Sequence, residues 1–178
     1  PAGVYLAASG VGTIGLVDND VVDDSNLQRQ ILHWTSSVGM PKVDSARRTL
    51  FEVNPDVKVR THNLRLDASN VLDILSEYDA IVSGSDNFTT AYMVNDAAVM
   101  LKKPVLYGSI FRFDGQASTF IPYDGPCYRC IFANAAPPEL ARPARTSALV
   151  APETSTTTSS VPTMCADCEF VRTHSPVF

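Results

Sequence analysis

Short apolar runs alternate with stretches of helical period along most of this chain, and that alternation limits its fold more than any other feature of the sequence. Val4 to Ser9 is small and apolar and stops at Gly10, as a helix with a glycine C-cap does. Thr13 to Val17 reads as a short buried strand with Asp18 at its carboxyl end, and the acidic stretch Asp18 to Asp24 as a loop. Asn26 to Leu32 is expected to form a short helix. Lys42 to Val53 is expected to form a longer one, with Val43, Ala46, Leu50 and Val53 near helical spacing. Asn54-Pro55 ends that helix, because the residue before proline avoids the α region. Val57 to His62 then alternates like a strand, and Ala68 to Glu77 reads as a helix with Val71, Leu72 and Leu75 on one face. Asp79 to Ser83 is a second buried strand, followed by a turn over Gly84 to Asn87. Thr89 to Leu101 is a helix ended by Lys102-Lys103-Pro104, and Val105 to Ile110 and Gln116 to Ile121 are further strands. Strand–helix alternation of this kind gives an α/β fold: a mostly parallel sheet flanked by crossover helices.

The 178 residues suit one domain of ordinary size, and 45% hydrophobic residues suffice for a real core. A net charge of −5 argues against a nucleic-acid partner, which needs a basic face. No apolar run is long enough to span a membrane. Pro1 to Ser9 lacks the basic leader and cleavage-like end of a signal peptide, so a cytoplasmic protein is expected. After Glu139 the character changes. Residues 141–163 are rich in Ala, Pro, Ser and Thr without a steady period, and residues 141–178 are expected to form a disordered or irregular tail behind a domain of residues 1–140.

Gly10-Val11-Gly12-Thr13-Ile14-Gly15 matches the dinucleotide fingerprint G-x-G-x-x-G. That fingerprint works when the glycines follow a strand and open a helix, placing phosphate on the helix N-terminus. Here a helix precedes the glycines and a strand follows. A helix cap and tight turn therefore explain them, and a nicotinamide-dependent oxidoreductase has no other support.

Other residues carry more chemistry. Asp18, at the carboxyl end of a buried strand, stands where ligands of open α/β sheets bind and could accept ribose hydroxyls; alone it would read as a solvated loop acid. Arg29, in Ser25-Asn26-Leu27-Gln28-Arg29-Gln30, offers a planar fork for phosphate oxygens. Lys42, in Gly39-Met40-Pro41-Lys42, offers a point charge at a helix start. Each would alone be a surface cation, but two near one polyphosphate can stabilise charge building on a transferred group. Asp86, in Gly84-Ser85-Asp86-Asn87, lies past a strand end and could hold Mg²⁺, while Asn87 caps the following helix. Four cysteines fall in two C-x-x-C pairs, Cys127/Cys130 and Cys165/Cys168, a spacing that points to metal or redox chemistry before structural disulfides.

Together these segments resemble the ThiF/MoeB family of molybdopterin-synthase and thiazole-biosynthesis adenylyltransferases and ubiquitin-activating enzymes. The matching stretches are Val17-Asp18-Asn19-Asp20, Ser25 to Gln30, Gly39 to Lys42, Asn54-Pro55, Ser85-Asp86-Asn87 and Cys127-Tyr128-Arg129-Cys130. The likeness runs from Ala2 to about Leu140. It implies a Rossmann-like sheet and an ATP-dependent adenylyltransferase acting on the C-terminal Gly-Gly carboxylate of a ubiquitin-like sulfur carrier, in a homodimer. It implies that Asp18 holds the ribose, Asn26 and Arg29 contact the phosphates, Lys42 neutralises them and Asp86 binds Mg²⁺, with Ser25, Leu27, Gln28 and Asn87 completing the nucleotide site. The family also implies structural Zn²⁺ on two C-x-x-C pairs. Cys127/Cys130 match the first pair; Cys165/Cys168 come early for the second, leaving a four-cysteine site and spare thiols both open. The family's glycine-rich phosphate loop would precede Pro1, and residues after Leu140 depart from the pattern. A chain truncated at both ends is therefore expected, one that does not exchange ATP alone. The alternative function is an inactive module that binds a ubiquitin-like partner or an intact subunit.

Overall fold

The computed structural model describes residues 1–85, 87–111 and 114–134, which fall into two compact units, Pro1–Leu66 and the part of the chain from Asp67 onward. In the first unit, helix α1 (Ala2–Ala8) leads into strand β1 (Thr13–Val17), helix α2 (Lys42–Val53) and strand β2 (Lys58–His62). β1 and β2 pair in parallel, from Thr13 opposite Lys58 to Val17 opposite His62. Gly10 closes α1 at φ 78°, where its N–H donates to the Ala7 carbonyl (3.0 Å) and that of Val11 to Leu6 (3.2 Å). These two bonds make a Schellman cap, for which the left-handed residue is usually glycine because it has no Cβ to clash. The glycine run therefore does lie between a helix and a following strand.

α2 begins directly after Pro41, carries Asp44 in its first turn and ends where the Asn54 N–H reaches the Leu50 carbonyl. The Asn54 side chain then donates to the Ala7 carbonyl (2.9 Å), tying the end of α2 to the end of α1. Leu50 is fully buried with Ala7, Ile14 and Val57, and Val4, Leu6, Leu16, Leu32 and Val59 pack around them. Val53, expected on the buried stripe, is 39% exposed because the core ends one turn earlier, at Leu50.

The segment from Asn26 to Leu32 is not a helix. A 3₁₀ turn over Asp24–Asn26 runs into further turns. Asp23 is its N-cap and accepts the Ser25 N–H (2.8 Å). Polar side chains here bond to nearby backbone and so compete with helix propagation.

The second unit contains helix α3 (Val71–Ser76), strand β3 (Ile81–Ser83), helix α4 (Phe88–Leu101), strands β4 (Val105–Phe111) and β5 (Asp114–Phe120), and the single-turn helix α5 (Tyr128–Ile131). The sheet order is β3-β4-β5, with β3 parallel and β5 antiparallel to β4. α3 is shorter than its sequence pattern suggests. Asp67 accepts the N–H (2.8 Å) and hydroxyl (2.6 Å) of Ser69, holding residues 68–70 in a turn. Its buried face is Val71, Ile74 and Leu75, and Leu72 points outward at 38% exposure. β3 likewise begins at Ile81, two residues later than its apolar pattern. Asn87 caps α4 by accepting the Thr90 N–H (2.8 Å), the Asx role read from the sequence. The Lys103 ammonium, just beyond α4, donates to the Leu75, Ser76 and Tyr78 carbonyls, where a cation offsets the negative end of α3.

Candidate functional site

Asp18 follows the last residue of β1, and its N–H continues the ladder to the His62 carbonyl (3.3 Å). One carboxylate oxygen accepts the Asp20 N–H (2.8 Å), which turns the chain away from the sheet. The turn is stitched to the start of α2. The Val22 N–H donates to Met40 (2.8 Å), Gly39 donates back to Val22 (2.9 Å), and the Lys42 N–H donates to Asp20 (2.9 Å). Lys42 thus opens α2 beside the carboxyl end of β1. Its ammonium lies 2.8 Å from Asp20 Oδ2 and 3.8 Å from Asp18 Oδ2, with the lysine side chain only 13% exposed. The folded chain therefore brings two predicted site residues, Asp18 and Lys42, into one cluster. It adds Asp20, whose N–H turns on Asp18 and whose carboxylate anchors the lysine.

Arg29 is exposed and held by its own turn. Nη2 donates to Asn26 Oδ1 (2.7 Å), and Nη1 to the Ser25 carbonyl (3.1 Å) and Gln28 Oε1 (3.3 Å). Gln28 Nε2 donates to the same Ser25 carbonyl (3.1 Å). Four of the residues read as a nucleotide-contacting group, Ser25, Asn26, Gln28 and Arg29, therefore form one hydrogen-bonded turn, and Leu27 lies half-buried between them.

His33 was not singled out by sequence. Its Nδ1 lies 2.9 Å from the hydroxyl of Ser45, which is 1% exposed on α2, and the Thr49 hydroxyl donates to the Leu32 carbonyl (2.7 Å). These two bonds fasten the segment following Arg29 to the helix that carries Lys42. Burial, and then the Lys42 ammonium, push the His33 pKa below its ordinary value, while Asp18 pulls the other way. A histidine depressed in the folded state binds fewer protons there than in the unfolded chain. Its contribution to stability is complete above the unfolded value and is lost as pH falls through the folded one. Wild-type protein is expected to lose more stability than His33→Gln between about pH 7.5 and about pH 5, measured by urea denaturation. Equal losses would remove His33 as the group responsible.

In the second unit, Asn87 spends its side-chain oxygen on the α4 cap. Asp86, the expected Mg²⁺ ligand, lies outside the described residues. Cys127 is buried and Cys130 half-buried, with Sγ atoms 3.5 Å apart at the two ends of the first turn of α5. That is too far for a disulfide, whose sulfurs sit about 2.05 Å apart. Two thiolates of a tetrahedral zinc site, with Zn–S about 2.3 Å, sit about 3.8 Å apart, so the pair fits half of such a site. Cys165 and Cys168 lie outside the described residues, and among those described no cluster of three or more His, Cys, Asp or Glu side chains could hold a metal. No helix of the described residues is long and apolar enough to cross a membrane.

Fold and site define a Rossmann-like α/β protein with an acid–lysine cluster at the carboxyl end of its first strand. The chain belongs to the ThiF family, whose profile matches residues 1–169. It is 57% identical over 120 residues to the "Probable adenylyltransferase/sulfurtransferase MoeZ" of Mycobacterium tuberculosis, over 67% of this chain and 31% of that protein. It is 48% identical over 139 residues to the "Sulfur carrier protein adenylyltransferase" of Thermus thermophilus, over 75% of this chain and 51% of that protein. The crystal structure of E. coli MccB with ATP matches at a TM-score of 0.67 and 29% identity, over 73% of this chain and 40% of that one. The chain thus spans between 31% and 51% of the length of these two curated relatives.

Proposed function

We propose that this protein is an ATP-dependent adenylyltransferase that activates the C-terminal Gly-Gly carboxylate of a ubiquitin-like sulfur carrier, working in the cytoplasm as a homodimer. The observation that carries the reading is the Asp18–Asp20–Lys42 cluster. It sets a carboxylate and an ammonium at the carboxyl end of β1, where nucleotides bind in open α/β sheets. The names of the relatives, a sulfur-carrier adenylyltransferase among them, support the same chemistry.

In the proposed reaction a carrier carboxylate oxygen bonds to the α-phosphorus of ATP. The bond from that phosphorus to the oxygen bridging to the β-phosphate breaks, and pyrophosphate leaves with the electron pair. A carboxylate is already ionised at neutral pH, so no general base is needed. Catalysis is positioning and electrostatics. Asp18 accepts the ribose hydroxyls. Asn26 orients Arg29, and both meet the phosphates. Lys42 exchanges part of its attraction to Asp20 for the phosphate oxygens. Ser25, Leu27, Gln28 and Asn87 shape the nucleotide pocket, and Asp86 serves Mg²⁺, which would neutralise phosphate charge. We assign this work to residues 1–140, and to Cys127 and Cys130 half of a structural Zn²⁺ site, for which Cys165 and Cys168 are the remaining candidate ligands.

Pyrophosphate exchange into ATP tests the reading. In a version of the protein that carries the glycine loop, exchange is expected to require a carrier ending in Gly-Gly and to vanish when those two residues are removed. Exchange indifferent to the carrier's C-terminus would overturn it.

A further inference from the structure

The Cys127–Cys130 turn is held by residues that no part of the adenylation chemistry uses. α5 has a single turn, and its N-cap, Cys127, makes no side-chain cap bond. The missing partner comes from α4. Asn95, 4% exposed, accepts the Tyr128 N–H on Oδ1 (2.8 Å). Only the amide oxygen can accept that bond, so the orientation of the Asn95 side chain is fixed. Its Nδ2 then faces Cys127 Sγ at 3.9 Å and Asp96 Oδ1 at 3.2 Å. The next residue repeats the pattern. Asp96 takes a bidentate bond from the Arg129 guanidinium, 2.6 Å from Nε and 2.6 Å from Nη2. Adjacent residues of α4 thus grip adjacent residues of the C-x-x-C turn. The Tyr128 ring, 3% exposed, anchors the same turn edge-on between Tyr92 (5.1 Å) and Tyr107 (4.9 Å).

We propose that Asn95 is a positioning residue for the zinc-binding cysteine pair: its amide fixes the turn through Tyr128 and donates an N–H to the Cys127 sulfur. The proposal rests on the zinc reading of the pair given above. A thiolate bound to Zn²⁺ keeps electron density that an N–H donor stabilises. Partners of this kind orient metal ligands and typically govern metal affinity ten- to hundredfold. Asn95, Asp96 and Tyr128 thus help hold the turn in which the two sulfurs stand 3.5 Å apart, near ligating separation.

Asn95→Asp separates the two bonds. Aspartate can still accept the Tyr128 N–H, but it presents an anionic oxygen where the sulfur had a donor. The purified protein, wild type and variant, is loaded with Zn²⁺ and titrated with a chromophoric chelator, while Co²⁺ loading reports the sulfur-to-metal charge-transfer band. Asn95→Asp is expected to weaken Zn²⁺ about ten- to hundredfold and to move the Co²⁺ band to longer wavelength, as loss of an N–H···S bond raises the sulfur donor level. Asn95→Ala, which adds no charge, is expected to shift the band in the same direction, so the test survives if the aspartate variant does not fold. Wild-type affinity and an unmoved band in a folded variant would overturn the role of Asn95 alone. A wild-type protein that binds no zinc would overturn the metal reading of the pair, and the proposal with it.

Discussion

In an intact version of the protein, Arg29→Ala and Lys42→Ala are each expected to lower carrier-dependent pyrophosphate exchange by at least about a hundredfold, the scale of losing one charge contact made in the transition state. The two variants fail for different reasons. Arg29 is exposed and bonded only within its own turn, so its removal should leave folding unchanged and delete one cation from the phosphates. Lys42 has a side chain 13% exposed and lies between two carboxylates, so alanine there removes a cation and also leaves Asp18 and Asp20 facing any phosphate with their charge unopposed. The Lys42 loss should therefore show as weaker ATP binding as well as slower turnover. It should carry a stability cost of about 1–2 kcal/mol, between that of an exposed and a buried pair. Exchange at the wild-type rate in both variants would remove these residues from the chemistry.

Leu50→Ala should destabilise the first unit by about 3–5 kcal/mol, the upper range for a fully buried leucine truncated in a packed core. Leu50 is the residue on which the unit closes: it has no exposed surface and joins Ala7 of α1, Ile14 of β1 and Val57 before β2. Alanine would leave a cavity bounded by α1, β1 and the residue that leads into β2. Trp34, the chain's only tryptophan, lies within the same unit, so its fluorescence in a urea titration can follow this transition apart from the second unit. A midpoint unchanged from wild type would show that the core can collapse around the gap.

Elements whose ends carry strong local signals were legible in the sequence. β1 and α2 have the boundaries read from sequence, because Asp18 ends an apolar run and Pro41 and Asn54-Pro55 bracket a helical period. The stretch after Asn26 deceived because its composition permits a helix. The side chains of Asp23, Gln28 and Arg29 instead bond to one another's turns, which no periodicity reports. The face of α3 was misread by one residue: Ile74, not Leu72, joins Val71 and Leu75 on the buried side, because the short helix packs against α4, which its own period does not report. In the candidate site the sequence singled out Asp18 and Lys42 separately and did not show that they pair. Lys42 and Asp18 are brought together by a backbone stitch that spacing does not encode. Asp20 stood out only as part of a matching stretch, and His33 and Asn95 not at all, because their roles depend on partners distant in sequence: Lys42 for Asp20, Ser45 for His33, and Tyr128 and Cys127 for Asn95.

The stitch between Val22 and the Gly39–Met40 turn closes the whole excursion that carries Arg29 into a loop with joined ends, and His33 and Leu32 pin its far side to α2. The conformational entropy of that loop is thus surrendered when the unit folds, not when a ligand arrives. Ordering costs of that kind are a main reason why binding free energy falls short of contact area. A nucleotide meeting this loop would have few backbone degrees of freedom left to freeze. Its binding should therefore carry only the small negative heat-capacity change of the surface it covers, without the large one that accompanies coupled folding.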